Sequence, residues 1–190
     1  MVAGRVALRR ARHLRPGMCR IGVEAMSFFF LILAMSVLAY IPQWFLGDRQ
    51  DYHMAMRHGM AGGFTFTGID HFVHAHNRYV PMLPDFLAEN ALALVYLIDA
   101  AELAGALGLI MPLAISRRLS LPNLRQWTGI GLAVLLVFLV VANVNVALKG
   151  SGVQGLEFGA WYYWLRLVFQ PIFILWALFV AGVLWHSKER

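Results

Sequence analysis

The sequence has 190 residues, of which 60% are hydrophobic and 14% are charged, and its mean hydropathy is +0.65. These values exclude an ordinary soluble domain and predict a single-domain integral membrane protein. The net charge of +6 does not indicate nucleic-acid binding, because arginines concentrate before the first hydrophobic run, where basic segments meet anionic lipid. The single cysteine, Cys19, excludes a disulfide framework and a cysteine-based metal site within the chain.

The N-terminal region is basic and then hydrophobic. We expect residues 1–20 to form a basic tail and residues 21–47 to form a membrane helix. A secretory signal peptide has the same order of segments, but the apolar run continues to Leu46, which favours a retained anchor. Translation could also start at Met18 or Met26, which would remove most of the positive charge.

Four hydrophobic runs are long enough to cross a bilayer, which takes about 20 mostly apolar residues. They cover residues 25–46, 90–112, 127–148 and 161–185. A fifth segment, residues 54–72, is marginal because it contains several glycines and has charges near both ends. Its length and composition alone do not decide whether it crosses.

The distribution of Lys and Arg predicts the orientation in a bacterial cytoplasmic membrane. The loop 113–126 and the tail 186–190 are basic, so both are expected on the cytoplasmic side, and residues 73–89 and 149–160 are expected as outer loops. If residues 54–72 do not cross, the arginine-rich N-terminus is cytoplasmic and every loop agrees with the rule. If they cross, that N-terminus lies outside, against the rule.

Two carboxylates, Asp99 and Glu102, lie near the middle of the second long hydrophobic run. A charged residue there costs roughly 2.5–3.5 kcal/mol, so both should face protein and have partners or be protonated. Counted from the outer boundary at about 1.5 Å per residue, Asp99 lies at the depth of Gln170, and Arg166 at the depth of Asn143. A buried Arg166 needs an acceptor, and either carboxylate could provide it.

Two interpretations of these polar residues remain open. They form either an inter-helix polar clamp that only fixes packing, or a pocket for a polar headgroup, a quinone or a proton. On the same helix, the small-residue pairs Ala101 with Gly105 and Ala104 with Gly108 predict close helix contacts.

A histidine cluster, His71, His74 and His76, has a spacing that could ligate copper, zinc or haem iron. Metal sites usually add a carboxylate or a further fixed histidine, and imidazoles in an aqueous loop are more often solvated. We therefore predict no metal site and keep the three histidines as weak candidates. The chain has no nucleophile-elbow, phosphate-loop or dinucleotide fingerprint, so no intrinsic cofactor is predicted.

Several short motifs occur in an ordered series along the chain. They are Gly68-Ile69-Asp70-His71-Phe72, Met82-Leu83-Pro84, Asp99-Ala100-Ala101-Glu102-Leu103, Gly108-Leu109-Ile110-Met111-Pro112, Arg117-Arg118, Ala142-Asn143 and Trp164-Leu165-Arg166-Leu167-Val168-Phe169-Gln170. Over residues 54–185 this order resembles the DoxX family of small integral membrane proteins, in the branch with an extra N-terminal helix. The chain departs from the family pattern at Val141 and at Val168-Phe169, where proline is often found, which bears on the local helix geometry.

The resemblance implies a four-helix membrane bundle in which residues 54–72 form the first core helix. On this basis we predict an all-α integral membrane protein, with a four-helix core preceded by one N-terminal transmembrane helix. The family includes the small subunit of thiosulfate:quinone oxidoreductase, but most members have no settled activity, and a shared fold does not fix function. The resemblance favours Glu102 over Asp99 as the principal acid. The motif positions fall on His71, Glu102, Asn143, Arg166 and Gln170.

Three functional hypotheses follow. The first is a redox-linked subunit whose polar pocket holds a quinone headgroup, with Arg166 and Gln170 donating hydrogen bonds to a carbonyl oxygen and a carboxylic acid relaying the proton. Its electrons would come from a protein partner. The second is a non-catalytic accessory or assembly subunit, and the third is a carrier of small solutes or lipids. The expected partners are membrane lipid and either a further protein or a second copy of the chain.

Overall fold

A computed structural model describes residues 27–46, 51–118, 120, 123–149 and 160–184 of the chain. Within these residues all regular secondary structure is helical and there are no strands, which confirms the all-α prediction. The predictions for the tails 1–20 and 186–190 lie outside the described residues. The same is true of most of the glycine-rich loop predicted at residues 149–160.

The described residues contain long helices joined by short ones. The α-helices are α1 (Ser27–Leu46), α2 (Tyr52–His74), α3 (Ala91–Ile110), α4 (Leu113–Arg118), α5 (Leu124–Lys149) and α6 (Ala160–Val180). Between α2 and α3 the chain forms a π-helical turn, Ala75–Tyr79, and two 3-10 helices, Val80–Met82 and Asp85–Asn90. The five predicted hydrophobic segments therefore each correspond to one helix, with ends that differ by a few residues.

The connection after α2 differs from its prediction. The sequence predicts an outer loop at residues 73–89, which contain Pro81 and Pro84, but most of this stretch is helical in short pieces. Pro81 lies in the first turn of a 3-10 helix, where its missing N–H would have no helical partner, and Pro84 is the N-cap of the next. The prolines thus prevent only a continuous α-helix. The loop predicted at residues 113–126 likewise contains the short helix α4.

The long helices pack mainly against their neighbours in sequence. α2 packs on α3, α3 on α5 and α5 on α6, and α6 returns to contact α2, so the bundle closes on itself. α1 lies along α2 and also reaches α6, where the rings of Phe28 and Phe173 meet edge to face at 4.9 Å between centroids.

Glycines bring α3 and α5 close together. A Cβ atom at Gly105 would collide with the side chain of Leu132, and one at Gly108 would collide with Thr128. These contacts confirm that the small-residue positions of α3 serve helix packing. Ala101 and Ala104 are exposed, so only the glycine of each predicted pair lies in the contact.

Three described helical segments are long and apolar enough to cross a membrane. They are Phe28–Phe45, Asp85–Ile110 and Leu124–Lys149, and a shorter apolar helix covers Trp164–Val180. α2 is absent from this group, in keeping with the marginal composition of residues 54–72. Many large apolar side chains on these helices face outward: Leu97, Phe138 and Val168 are each 67% exposed.

Candidate functional site

α2 approaches α3 closely beside the predicted carboxylates. A Cβ atom at Gly68 would lie 2.9 Å from Cγ of Leu103 and 3.4 Å from the backbone oxygen of Asp99. Because Gly68 has no side chain, the two helices approach closely enough for short side chains to meet. Thr67 lies before this glycine, and His71 follows one turn after Thr67 on the same face of α2.

These side chains form the carboxylate cluster, defined as Thr67, His71, Asp99 and Glu102. The Thr67 hydroxyl donates a 2.8 Å hydrogen bond to Oε2 of Glu102. Nδ1 of His71 lies 3.2 Å from Oδ1 of Asp99 and 3.6 Å from Oε2 of Glu102. One imidazole nitrogen thus faces both carboxylates, and the attraction is full only when the imidazole is protonated.

Asp99 is the least satisfied member of the carboxylate cluster. Its side chain is 0% exposed, and neither Oδ1 nor Oδ2 accepts a hydrogen bond from any described residue. The contact with His71 is within ion-pair distance but is not aligned for a hydrogen bond. A buried carboxylate with open acceptors is costly unless a proton, a ligand or a nearby charge compensates it.

A second network begins one turn outward, at the end of α2. Asp70 accepts a 2.6 Å hydrogen bond from the Tyr79 hydroxyl and a 3.1 Å bond from Nη1 of Arg78 through the same oxygen, Oδ2. Its other oxygen lies 2.9 Å from Nδ1 of His74. The π-helical turn folds Tyr79 back over α2, so that its ring centroid lies 3.9 Å from that of His71. Burial, followed by the hydrogen bond to Asp70, raises the pKa of Tyr79 well above its ordinary value.

A separate polar group joins α5 to α6. We call Asn143 and Gln170 the amide pair. Nδ2 of Asn143 donates a 3.0 Å hydrogen bond to Oε1 of Gln170, and Nε2 of Gln170 donates a 2.7 Å bond to the backbone oxygen of Leu136. Both residues are buried, and the Gln170 side chain uses its donor group and its acceptor within the protein.

The structure therefore divides the predicted site residues. His71, Asp99 and Glu102 come together, whereas Asn143 and Gln170 pair elsewhere. The amide nitrogen of Gln170 donates one of its two hydrogens to the backbone of α5, and its predicted hydrogen bond to a ligand stays a prediction. Arg166 is half-buried on α6, and its match to a carboxylate stays a prediction.

Sequence reasoning missed Thr67 and Tyr79. Thr67 could have been found from its position one turn before His71 on the glycine-bearing face of α2. Tyr79 gave no such signal, because its contact with His71 depends on the π-helical turn, which periodicity does not reveal.

The histidines do not converge. His71 faces Asp99, His74 faces Asp70, and His76 is exposed. Among the described residues no group of three or more His, Cys, Asp or Glu side chains is arranged to hold a metal ion. The weak metal candidates therefore lie in three different surroundings.

Comparison with known proteins identifies the family to which the chain belongs. Residues 60–181 match the model of a family described as a domain of unknown function, DUF8561. The chain belongs to this family. The DUF8561 match spans the carboxylate cluster, the amide pair and Arg166. No curated protein and no solved structure matches the chain. The resemblance to DoxX stays a prediction that these comparisons do not test.

Proposed function

We propose that this DUF8561 protein is a DoxX-like, redox-linked membrane subunit in which the carboxylate cluster supplies protons for the reduction of a quinone headgroup. The observation that carries the proposal is Asp99, which is fully buried, has no hydrogen bond from the described residues, and faces His71. Ionisable groups inside a membrane usually mark a proton or substrate site. Here the imidazole of His71 lies beside the carboxylates of both Asp99 and Glu102.

A membrane location is supported by the outward apolar surface. Three described helical segments have the length and composition of membrane spans, and large exposed residues such as Leu97 and Phe138 would be unfavourable in water. In the proposed arrangement α1 is an N-terminal transmembrane helix and α2, α3, α5 and α6 are the core, in a bacterial cytoplasmic membrane. In α2 the part-buried hydroxyl of Thr67 bonds to Glu102 of α3, so this polar group has a partner within the bundle.

The proposed reaction is the two-electron reduction of a quinone. Reduction of a quinone to a quinol consumes two electrons and two protons. The electrons come from a partner protein that carries a redox cofactor, because the sequence has no cofactor motif. Each proton passes from the carboxylate cluster to a quinone oxygen, where an O–H bond forms, and water then restores the proton to the cluster.

The test uses the full chain purified with its co-purifying partners. Quinone content and quinone reduction are measured for the wild type, for Glu102→Gln and for the control Glu89→Gln, which changes an exposed acid before α3. Removing a general acid typically costs 10²–10⁴-fold, so we expect Glu102→Gln to lower quinone reduction about 100-fold and Glu89→Gln to leave it unchanged. Equal reduction rates in a stable Glu102→Gln variant would contradict the proposal.

A second candidate is a non-catalytic accessory or assembly subunit, and the amide pair favours it. Asn143 and Gln170 bind each other and the backbone, as expected of a group that only orders helices. Mass spectrometry of co-purifying chains separates the candidates. The accessory function predicts that Glu102→Gln keeps both its partners and the activity of the complex, while Gln170→Leu loses the partners.

A further inference from the structure

The carboxylate cluster has a polar side and an apolar side, and this asymmetry bears on how protons reach it. The polar side lies towards residues 75–90, where α2 ends and α3 begins. Side-chain exposure falls steadily along this direction, from 46% at His74 to 25% at Asp70, 16% at His71 and 0% at Asp99. The titratable groups therefore form a series from solvent to the buried acid.

Tyr79 contacts two members of that series, His71 and Asp70. Its ring lies against the imidazole of His71, and its hydroxyl is held by Asp70 at 2.6 Å. Asp70 is in turn held by Arg78 and His74. Tyr79 thus shields His71 from the exposed end of α2 while remaining attached to a partly exposed carboxylate.

The opposite side of the carboxylate cluster is closed by apolar side chains. Phe64 lies one turn below Thr67 and is 1% exposed, and Met60 lies one turn further and is 0% exposed. Leu109 and Leu132 complete the same buried core from α3 and α5. Leu132 packs against Gly105, directly below Glu102 on α3. The next ionisable side chain of α2 on this side is Arg57, which is buried one turn below Met60 and, as an arginine, keeps its proton, so it does not continue the series.

We infer that the carboxylate cluster exchanges protons with one end of the bundle only, the end formed by residues 75–90, with Asp70 as the entry residue and Tyr79 as the residue that closes the route. This inference rests on the proposed function, because it describes the supply of protons to the same site. The charged or titratable groups that face this route are His74 and Asp70 from α2, Arg78 and Tyr79 from the π-helical turn, Asp99 and Glu102 from α3, and Arg166 from α6.

The route has a simple sequence of steps. A hydronium ion protonates the Asp70 carboxylate, which removes its negative charge and weakens the hydrogen bond from Tyr79. Tyr79 then moves off the imidazole, and a second hydronium ion gives a proton to Nε2 of a His71 that carries its first proton on Nδ1. The imidazolium turns Nδ1–H towards Oδ1 of the Asp99 carboxylate, 3.2 Å away, and gives it that proton, which leaves His71 neutral with its proton on Nε2 and Asp99 as a neutral acid.

The first test measures access of water-soluble reagents to the carboxylate cluster. The full chain, with Cys19→Ser as background, carries Thr67→Cys and is reconstituted in sealed vesicles. A charged, membrane-impermeant thiol reagent is added to one side at a time. Glu89→Cys reports the side of residues 75–90, and Arg118→Cys reports the opposite side, because the two positions flank α3.

We expect Thr67→Cys to react only from the side on which Glu89→Cys reacts. Adding Tyr79→Ala should raise that rate at least 10-fold, and Tyr79→Phe, which keeps the ring but loses the hydroxyl, should raise it less. Reaction from the side of Arg118→Cys overturns the inference. So does an absence of reaction from both sides in the Tyr79→Ala background.

A second measurement keeps the carboxylate cluster intact, in case Thr67→Cys does not fold. Infrared difference spectra follow the carboxyl bands of Asp99 and Glu102, assigned with Asp99→Asn and Glu102→Gln, after a pH step on either side of the vesicles. We expect a response to the step on the side of residues 75–90, slowed about 10-fold by Asp70→Asn. An equal response from both sides overturns the inference. Neither measurement uses a quinone, so one-sided access without quinone reduction would overturn the proposed function alone.

Discussion

The carboxylate cluster and the amide pair are both buried and both join neighbouring helices, but they differ in how fully their hydrogen bonds are satisfied. In the amide pair, Gln170 donates to a backbone oxygen and accepts from Asn143. In the carboxylate cluster, neither carboxylate oxygen of Asp99 accepts a hydrogen bond from a described residue. A buried polar group whose hydrogen bonds are all made stabilises one arrangement of the helices. A buried polar group without hydrogen bonds lowers the stability of the fold, so its presence points to a role other than packing.

The difference also concerns charge. The amide pair is neutral at every ordinary pH, so its bonds do not depend on solvent conditions. The carboxylate cluster contains three titratable side chains, His71, Asp99 and Glu102, that lie within a few ångströms of one another. The contacts among these side chains therefore depend on how many protons the three of them hold together. The comparison therefore predicts opposite results when each group is altered: loss of stability for the amide pair, and loss of function with little loss of stability for the carboxylate cluster.

The largest change in stability is expected at Gln170. Gln170→Leu leaves the Asn143 amide buried without its acceptor, and an unsatisfied buried polar group costs about 1–3 kcal/mol. We expect about 2 kcal/mol of lost unfolding free energy, measured by denaturation in detergent micelles. Asn145→Ala is a matched control on α5, because its bond to the backbone oxygen of Met82 is only partly buried. Equal losses in the two variants would contradict a special role for the amide pair.

Tyr79 gives a smaller effect that depends on pH. Tyr79→Phe removes the bond to Asp70, and we expect a cost of about 1 kcal/mol near pH 8, because the acceptor is charged but partly exposed. The folded protein raises the pKa of Tyr79 above its ordinary value of 10.0. A raised pKa gives stability that is complete below the ordinary pKa and is lost as the pH rises above it.

The sign of that pH effect can be tested directly. The difference in unfolding free energy between the wild type and Tyr79→Phe should shrink as the pH rises beyond about 10, because the unfolded wild type then loses a phenolic proton that the folded wild type retains. Unfolding at pH 8 and pH 11 measures the change. A difference that grows with pH would show that Tyr79 does not donate to Asp70.

Asp99 should behave in the opposite way to Gln170. Asp99→Asn keeps the shape of the side chain but replaces a buried carboxyl group that lacks hydrogen bonds with a neutral amide, so we expect the unfolding free energy to stay within about 1 kcal/mol of the wild type or to rise. Glu102→Gln, which keeps an oxygen to accept from Thr67, is the matched comparison. A loss above 2 kcal/mol in Asp99→Asn would indicate that His71 and Asp99 form a structural ion pair.

The sequence identified the helices well because their signal is local. Each long apolar run corresponds to one helix, and the all-α prediction rested on these runs together with the resemblance. The marginal segment 54–72 is a helix that buries polar groups, including Thr67 and Arg57, against its neighbours, which explains why its hydropathy was low.

The sequence grouped the polar residues only in part. Counting residues along each helix estimates depth, and depth alone placed Asp99 with Gln170. Depth says nothing of rotation or of which helices are neighbours. In the structure α3 packs on α2 and α5, and α5 packs on α6, so Asp99 and Gln170 belong to different helix contacts. Gly68 was the decisive residue, because its missing side chain brings His71 to Asp99.

The smallest effect is expected where the connection between α2 and α3 meets α5. Nζ of Lys149 lies 2.8 Å from Oδ1 of Asp85, but both side chains are well exposed, at 43% and 91%. Exposed ion pairs contribute about 0–1 kcal/mol, so we expect Lys149→Gln to change the unfolding free energy by less than about 0.5 kcal/mol, and by even less at high salt. A change above 1 kcal/mol would show that this exposed pair helps to hold the connection between α2 and α3 against α5. Stability would then depend on a surface contact as well as on the two buried groups, and Lys149→Gln would need to be combined with Gln170→Leu to separate the two contributions.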